Sequence, residues 1–392
     1  MSESETPHPA QIEISARVAS VDAFVFRAPV TEPIRASFGT MHDRPAVLVR
    51  ATDSEGRTGW GEIWCNFPRY AAEHRARLVR TVLAPLLIGR PCDDPPALRE
   101  ELTARTRVLA IQCGEAGPFA QAIAGIDTAL WDLRARHAGM PLWRLLGGVC
   151  PRIRLYASGI NPTHPEKLAA RRYAEGYRAF KLKIGFGHDL DLRNLAAVRE
   201  AIGPACSLMV DANQAWDLAQ ALTETSALST HALSWLEEPL AADRPWAEWR
   251  ELAHQTAVPL AAGENLIGEA AFREAIGAGV LAVVQPDIAK WGGISGCLAV
   301  ANAVRASGLR YCPHYLGGGI GLMASAHLLA AAGGDGMLEV DANDNLLRSL
   351  IAPMIAPSPD FQRPDSWATL PGTPGIGPEP SLDDLRPFAV PS

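Results

Sequence analysis

The sequence of 392 residues has no long apolar run, no basic stretch and no closely paired cysteines. Its apolar segments fall short of the ~18 residues that suggest a membrane span, so no membrane association is expected. A net charge of −7 without a basic stripe argues against a nucleic-acid partner. The seven cysteines include no C-x-x-C pair, which argues against a disulfide framework and a zinc ribbon. The polar first ten residues lack a signal-peptide core, and a cytoplasmic location is expected.

The N-terminal part changes from a strand-like to a helical pattern. The segment RPAVLVRATDSEGRTGWGE reads as strand, turn and strand, with the turn at Asp53-Ser54-Glu55-Gly56. From about Tyr70 to Leu146 apolar residues recur at i, i+3 and i+4, which is typical of amphipathic helices. Strands followed by helices predict an α+β domain over residues 11–147, after a disordered tail at 1–10.

Residues 148–355 alternate between short apolar runs and amphipathic helical segments. The eight runs are IRLYASG, AFKLKIG, CSLMVDAN, LSWLEEP, PLAAGEN, LAVVQPD, RYCPHY and GMLEVD. This alternation predicts parallel strands joined by right-handed crossovers, and eight runs predict a (β/α)8-type barrel. The remaining segment, 356–392, is rich in proline and is expected to return to the N-terminal domain.

Ionisable residues end seven of the eight runs. In chain order they are Lys183, Asp211, Glu237, Glu264, Asp287, His314 and Glu339. Their steps of 23 to 28 residues match one β–α unit each. Because barrel enzymes place their chemistry at the carboxyl ends of the strands, these seven groups are expected to converge on one mouth.

Three of these groups are carboxylates on consecutive units: Asp211, Glu237 and Glu264. Converging anions repel one another unless a cation neutralises them, and an all-oxygen set suits Mg²⁺ better than zinc. The alternative is three unrelated carboxylates, each paired with a lysine or arginine. The regular spacing favours the metal interpretation.

Two further pairs indicate acid–base chemistry. Lys181 and Lys183 face the same way on one strand, and each charge is expected to lower the pKa of the other, which suits a general base. A solvated strand edge is the alternative for this Lys-x-Lys pair. Asp287 and His314 end consecutive strands, so a carboxylate–imidazole hydrogen bond is expected.

This set predicts removal of the proton α to a carboxylate. The enediolate that results carries two negative charges, which a divalent cation stabilises. A second acid–base group then allows two outcomes, racemisation or loss of a β-hydroxyl as water. Glu339 is a candidate hydrogen-bond donor to the substrate carboxylate if crowding keeps it protonated.

These motifs resemble the enolase superfamily and, within it, the mandelate racemase subgroup. The matching segments are KLK, DANQAW, LEEP, GEN, PDIAKWGG, the His314 segment and LEVD, together with IDTALWDLRARHAGMPLWRLLGG, which resembles the helix that joins the capping domain to the barrel. The resemblance implies a modified TIM barrel, (β/α)7β, with an α+β capping domain. It also implies one Mg²⁺ per subunit on Asp211, Glu237 and Glu264, with Glu237 preferred over Glu238 because successive strand residues face opposite ways.

The resemblance further implies Lys183 and the His314–Asp287 pair as the two acid–base groups. Asp287 stands where the muconate-lactonising branch has a lysine, which favours the mandelate racemase type. Relatives in this family form dimers to octamers, so a homo-oligomer is expected.

The expected substrate is a small carboxylate, chosen by the capping-domain loops. Candidate substrate-binding residues are Arg35, Phe38, Trp64, Ser158 and Asn213. Most relatives with both the lysine and the His–Asp pair dehydrate acid sugars, so a sugar-acid dehydratase that makes a 2-keto-3-deoxy acid is favoured. The enzymatic alternative is a racemase or epimerase of a 2-hydroxy acid, and a remote one is a non-catalytic binding barrel.

Overall fold

The computed structural model of the protein describes residues 15–358, 366–377 and 379–391. The chain opens with an antiparallel three-stranded sheet, in the order β1 (Val18–Ala36), β2 (Gly39–Asp53) and β3 (Thr58–Ile63). The predicted turn lies between β2 and β3, where the Asp53 side chain accepts the backbone N–H groups of Glu55 and Arg57. This Asp-mediated turn fixes the register of the two strands.

Helices cover one face of this sheet, as the periodicity predicts. They are α1 (Ala71–Leu78), a π-helical turn (Val79–Leu83), α2 (Ala84–Leu87), α3 (Pro95–Gln112), α4 (Ala116–His137) and α5 (Leu142–Leu145). Helix α3 begins after Asp94, whose side chain accepts the N–H of Ala97, with prolines in its first turn. Helix α4 packs most closely on β3 because Gly59 and Gly61 leave no side chain between them.

The second unit alternates strand and helix throughout. Its elements are β4 (Arg152–Ile160), α6 (Pro165–Ala174), β5 (Ala179–Lys183), α7 (His188–Ile202), β6 (Ser207–Asp211), α8 (Leu218–Leu228), a 3-10 turn (Ser229–His231), β7 (Leu236–Glu237), α9 (Trp246–Gln255), β8 (Leu260–Ala262), α10 (Glu269–Gly277), β9 (Leu281–Val284), α11 (Gly293–Ala306), β10 (Arg310–Tyr311), α12 (Gly319–Ala332), β11 (Met337–Asp341) and α13 (Leu346–Ile351).

The strands of this unit form a barrel of parallel neighbours. Pairing runs in sequence order from β4 to β10, and β11 pairs with β4. Beside β10, the backbone N–H of Met337 lies 3.4 Å from the Cys312 sulfur, which brings the two ends of the path together. Seven β–α units followed by a final strand confirm the predicted (β/α)7β barrel with an α+β capping domain, and each of the eight predicted runs is a strand.

The C-terminal segment touches both units. It adds β12 (Trp367–Thr369) antiparallel to β4, then α14 (Leu382–Leu385) and a 3-10 turn (Arg386–Phe388). Beyond β12, the N–H of Ile376 bonds the Asp132 carboxylate and the N–H of Val390 bonds the carbonyl of Val25. The exact boundaries predicted for the domains stay a prediction, and the predicted tail at 1–10 lies outside the described residues.

A buried carboxylate from the capping domain joins it to the barrel. Glu62, on β3, accepts the backbone N–H of Gly318 at 2.6 Å and that of Gly321 at 2.9 Å. These donors belong to the first turn of α12, where backbone N–H groups have no helical partner and a negative charge is favourable. Burial raises the pKa of Glu62, while these hydrogen bonds and the Tyr315 hydroxyl act in the opposite direction.

Apolar side chains fill both units. One core lies between the N-terminal sheet and its helices, and a larger one lies between the barrel strands and the surrounding helices. In the described part of the chain, no helix is both long and apolar enough to cross a membrane.

The contact between β3 and α4 gives a stability prediction. A Cβ atom at Gly61 would lie 1.9 Å from the carbonyl oxygen of Gly125, so Gly61→Ala forces the helix off the sheet. Overpacking of this kind costs about 1–3 kcal/mol, and a lower midpoint is expected in thermal unfolding. The control is Gly117→Ala, at the start of α4 with open space around it, which should unfold at or above the wild-type temperature. Equal midpoints for both variants would contradict this packing argument.

Candidate active site

The floor of the site is a layer of inward-facing apolar side chains, one from each strand region of the barrel. This layer consists of Tyr156, Ala179, Met209, Trp235, Ala261, Val283, Cys312 and Met337. Because a strand repeats its facing every two residues, the next inward layer lies two positions further along each strand. That second layer is Ser158, Lys181, Asp211, Glu237, Gly263, Gln285, His314 and Glu339. The inward-facing side chains of the barrel therefore change from an apolar layer to a mostly polar and ionisable layer within two residues of each strand.

Lys181 lies at the centre of this layer. Its Nζ is 2.6 Å from Glu237 Oε2 and 2.7 Å from Glu339 Oε1, and all three side chains are buried. Burial alone would lower the pKa of Lys181, but the charges of Glu237 and Glu339 outweigh it and hold that pKa well above its usual value. The expectation of a depressed lysine pKa was therefore wrong for Lys181, which is a cation that binds two carboxylates together.

Lys183 lies one pleat higher and lines a cavity between the barrel mouth and the capping domain. Its Nζ donates to Asn213 Oδ1 at 2.5 Å and lies 3.6 Å from Asp211 Oδ2. Asn213 adopts a left-handed backbone conformation, with φ of 44°, and its own amide donates to Asp211 at 2.9 Å. Asn213 thus lines the cavity, as predicted for a substrate-binding residue, and fixes the position of the Lys183 amine.

On the far side of the cavity His314 is held between two carboxylates. Its Nδ1 lies 2.7 Å from Asp287 Oδ2, and its Nε2 lies 2.6 Å from Glu264 Oε2. Carboxylates only accept hydrogen bonds, so both ring nitrogens carry protons. Burial lowers the pKa of His314, but the charges of Glu264 and Glu339 outweigh it and raise the pKa well above its usual value.

Glu264 also contacts Lys290, whose Nζ lies 3.1 Å from Glu264 Oε2 and 5.0 Å from the Trp64 ring centre. Lys290 belongs to the PDIAKWGG segment, and its side chain lines the cavity. Glu264 is therefore held by an imidazole and an amine together.

The three candidate metal ligands come from neighbouring strand ends. Asp211 and Glu237 pair directly in register between β6 and β7, and Glu264 follows β8. Glu237 Oε1 is buried and has no hydrogen-bond partner among the described residues. Burial raises the pKa of Glu237 to about 7, although Lys181 acts to lower it. The oxygens of the three side chains do not all lie within 4.8 Å of one another, and Glu264 instead contacts Lys290 and His314.

A fourth carboxylate lies beside this set. Glu238 accepts two 2.9 Å hydrogen bonds from the Asn265 side chain, and burial followed by the charge of Glu264 raises its pKa well above the usual value. Glu237 and Glu238 would face opposite ways only on a regular strand. In the structure β7 ends at Glu237 and Glu238 has a φ of 40°, so strand alternation does not apply to it.

Two predicted roles are contradicted by the contacts observed. Glu339 was expected to be a protonated donor, but it accepts from Lys181, from the Tyr315 N–H at 2.9 Å and from the Ser158 hydroxyl at 2.5 Å. Burial raises the pKa of Glu339, but Lys181 and His314 reverse this and bring it to about 2. Ser158 is fully buried against Glu339 and lies outside the cavity lining, so its hydroxyl is not available to a substrate.

The capping domain closes the cavity from above. Phe38 and Trp64, two of the candidate substrate-binding residues, line it, and Phe38 packs edge-to-face on Phe67 with ring centres 5.1 Å apart. Arg35 does not line it: the residues on either side of Arg35 face the cavity, while its own side chain is exposed, as strand alternation requires. The capping-domain cation in the lining is instead Arg44.

A second cluster of possible ligands lies in the capping domain. The ligand atoms of Asp53, Cys92 and His137 lie within 4.8 Å of one another. The Arg57 guanidinium donates to His137 Nδ1, so His137 Nε2 carries the proton that bonds Asp53 at 2.5 Å. The Cys92 thiol donates to the Ala16 carbonyl, and burial raises its pKa to about 11. These groups therefore already satisfy one another as a structural hydrogen-bond cluster.

Sequence reasoning missed two residues of the site. Gln285, whose amide donates to Glu237 at 2.6 Å, is two positions beyond the inward-facing Val283, so strand alternation could have identified it. Arg44 forms a buried ion pair with Asp341 at the end of β11. No local pattern predicts this pair, because its members lie in different domains.

The sequence matches two family models. Residues 20–147 match the mandelate racemase / muconate lactonizing enzyme N-terminal domain, and residues 165–385 match the enolase C-terminal domain-like family. A D-galactarolactone cycloisomerase of Agrobacterium fabrum is 31% identical over 391 residues, which cover 96% of this chain and 99% of the relative. An arabinonate dehydratase of Saccharolobus solfataricus is 28% identical, with 86% and 88% covered.

Solved structures agree in fold along the whole chain. A mandelate racemase/muconate lactonizing enzyme from Bordetella bronchiseptica RB50 is 58% identical with a TM-score of 0.88, covering 96% of this chain and 100% of its own. A racemase from Streptomyces coelicolor A3(2), solved with bound magnesium, is 27% identical with a TM-score of 0.84, covering 95% and 100%. The paired lysines, the carboxylates on successive strand ends and the His–Asp pair thus occur on a fold shared with these enzymes, and the chain belongs to the mandelate racemase subgroup of the enolase superfamily.

Proposed function

We propose that the protein removes the proton α to the carboxylate of a sugar acid and then expels the β-hydroxyl as water, giving a 2-keto-3-deoxy acid. The observation that carries this proposal is that Lys183 and His314 line one cavity from strands on opposite sides of the barrel. A substrate carbon between them has an amine on one face and an imidazole on the other. The relatives named as an arabinonate dehydratase and a D-galactarolactone cycloisomerase support an acid sugar as substrate.

The residues at the strand ends fit a divalent cation, Mg²⁺. The donors are all oxygens, and Glu237 Oε1 is a buried acceptor that no described group satisfies. Asp211, Glu237 and Glu264 would hold the ion once Glu264 turns away from His314 and Lys290. When bound, the cation supplies positive charge opposite the charge that develops on the substrate carboxylate. The related racemase solved with magnesium supports this assignment.

The remaining chemistry belongs to the side chains. Lys183, in its neutral form, accepts the α-proton, and its amine is positioned for this by Asn213. His314 donates the proton from Nε2 to the β-hydroxyl as the carbon–oxygen bond breaks, so that water leaves. The product of this elimination is an enol, which becomes the 2-keto acid by tautomerisation. Asp287 holds the ring in place through Nδ1.

The contacts of His314 favour elimination over racemisation. Asp287 bonds Nδ1 and stabilises the protonated ring, so Nε2 is a proton donor once Glu264 turns to the cation. A racemase needs a base on each face in turn, which remains the alternative function. A lactone substrate would undergo the same elimination with a ring oxygen as the leaving group, which is consistent with the relative named as a cycloisomerase.

Incubation with a library of five- and six-carbon sugar acids in D₂O, followed by ¹H NMR, distinguishes these reactions. Dehydration gives loss of water and a ketone that reacts with semicarbazide. Racemisation gives deuterium at the α-carbon with inversion and no ketone. A barrel that only binds acids would show neither, and that result would refute the proposed catalysis.

Removal of either acid–base group should abolish turnover with little effect on folding. Lys183→Ala removes the group that accepts the α-proton, so both deuterium exchange and dehydration should fall by about 10²–10⁴ or more. His314→Asn should stop dehydration but leave exchange on the Lys183 face measurable. The control is Lys167→Ala, an exposed lysine on α6, which should keep full activity. Full turnover in both catalytic variants would show that the roles are misassigned.

Metal binding can be measured without turnover. After dialysis against a chelator, isothermal titration should show Mg²⁺ binding to the wild-type protein and to Cys92→Ala, which alters only the capping-domain cluster. Glu237→Gln removes a charged oxygen ligand, so its affinity should fall by at least about the 10-fold that loss of an outer-shell partner costs. Mg²⁺ binding that depends on Cys92 and not on Glu237 would place the ion elsewhere.

A further inference from the structure

Arg44 is a buried cation with unmet hydrogen bonds at the wall of the active-site cavity. It lies on β2 of the capping domain, is 2% exposed and lines the cavity. Its Nη2 pairs with Asp341 Oδ2. Its Nε and Nη1 are buried and have no hydrogen-bond partner among the described residues. A buried donor left without an acceptor is costly, and in a ligand cavity the missing acceptors point to the ligand.

The position of this ion pair in the barrel indicates which part of a substrate it meets. Asp341 ends β11, which pairs with β4. The strands follow one another from β4 to β11, so the β11–β4 edge lies across the mouth from β7 and β8. The candidate metal ligands lie on β6, on β7 and after β8. Around the barrel, Lys183 and His314 lie between these strands and the β11–β4 edge. A substrate whose carboxylate lies at the metal side therefore extends its far end toward Arg44.

The free donors of Arg44 also limit the chemistry of that far end. In a guanidinium group, Nε and Nη1 each share an edge with Nη2 but not with each other. Nε and Nη1 therefore point to different acceptors, and because Asp341 already neutralises the guanidinium, a second carboxylate here would be an uncompensated buried charge. The adjacent Asp341 carboxylate would in addition repel such a group. Two separate single acceptors, such as hydroxyl oxygens, suit the two free donors.

The other polar groups here are already engaged. Asp341 Oδ1 accepts the backbone and side-chain N–H groups of Asn343, both at 2.9 Å. Apolar side chains surround the pair in the cavity wall, namely Ile34, Met41, Phe67 and Leu316. Among the described residues that line this end of the cavity, Arg44 is the charged side chain with buried, unpaired donors.

We propose that Arg44 determines substrate specificity by donating to two hydroxyl oxygens at the far end of a polyhydroxy acid, so that the enzyme prefers acids with one carboxylate, aldonates, over the corresponding diacids, aldarates. This inference rests on the proposed function, because it takes the reacting carboxylate to lie at the metal side. Asp341 holds the guanidinium plane in the orientation that leaves Nε and Nη1 free.

The test is a paired variant that removes the cation without leaving a buried charge. Arg44→Gln together with Asp341→Asn keeps a neutral hydrogen-bonding pair at the same place. The matched control is Arg50→Gln with Asp22→Asn, which removes an ion pair with a 3.0 Å contact on the same strand β2, outside the cavity lining. Thermal unfolding of both double variants establishes that each is folded. A second probe is Arg44→Lys, which keeps the positive charge but not the planar guanidinium group.

The measurements are kcat and KM for wild type and variants with five- and six-carbon aldonates, the matching aldarates and glycerate, which lacks the far hydroxyls. Wild type should prefer the aldonates. Loss of Arg44 should lower kcat/KM for aldonates by about 10- to 100-fold, the range for hydrogen bonds to a charged group. The loss should be carried mainly by KM and be much smaller for glycerate. The Arg50 control should match wild type.

Isothermal titration of the same aldonates separates this inference from the proposed function. An enzyme that turns over aldonates equally well with and without Arg44 overturns the role of Arg44 and leaves the proposed function intact. A wild-type preference for aldarates also overturns it. Absence of turnover with every acid, combined with aldonate binding that weakens on loss of Arg44, refutes the proposed reaction and supports the recognition role. If no acid is turned over and aldonates bind equally to the wild type and to the variant without Arg44, the role of Arg44 is overturned as well.

Discussion

Compensation of buried negative charge is the constraint on which this barrel depends. Seven acidic side chains are buried at one mouth: Asp211, Glu237, Glu238, Glu264, Asp287, Glu339 and Asp341. Removal of such groups from water is unfavourable by several kcal/mol each unless cations and hydrogen bonds offset it. The chain supplies Lys181 between Glu237 and Glu339, and Lys290 with His314 beside Glu264. Positively charged side chains therefore lie between the buried carboxylates of the site.

The contacts with these carboxylates distinguish two lysines that look equivalent in sequence. Lys181 lies between two carboxylates at less than 3 Å and is fixed as a cation. The nearest contact of Lys183 is the neutral amide of Asn213, and its closest carboxylate is 3.6 Å away. The proposed acid–base role therefore goes to Lys183, which lines the cavity, whereas Lys181 holds the carboxylates of two other strands together.

The sequence was sufficient to predict the features that repeat along the chain. Regular spacing of strand ends located Lys183, Asp211, Glu237, Glu264, Asp287, His314 and Glu339, and the structure places all seven around the barrel mouth. What it could not predict is set by contacts across the barrel or between domains. The pKa directions of Lys181 and Glu339 depend on each other across strands β5 and β11, and Arg44 meets Asp341 from 297 positions away. The direction of the Glu238 side chain could not be predicted, because the backbone leaves the regular strand conformation there and a periodic pattern does not show this.

The anchoring of α12 by Glu62 bears on how a ligand reaches the closed cavity. Parting the two domains would strip a buried carboxylate of the Gly318 and Gly321 donors and would also break the Arg44–Asp341 pair. Raising the tip of the β1–β2 hairpin breaks the hydrogen bonds from the Ser37 hydroxyl to the carbonyl of Asn213 and from the Arg35 N–H to Asn161, and it parts Phe38 from Phe67. Movement of the hairpin tip therefore breaks fewer buried polar contacts than separation of the two domains. A ligand can enter and leave past the tip while the Glu62 and Arg44 contacts between the domains stay intact.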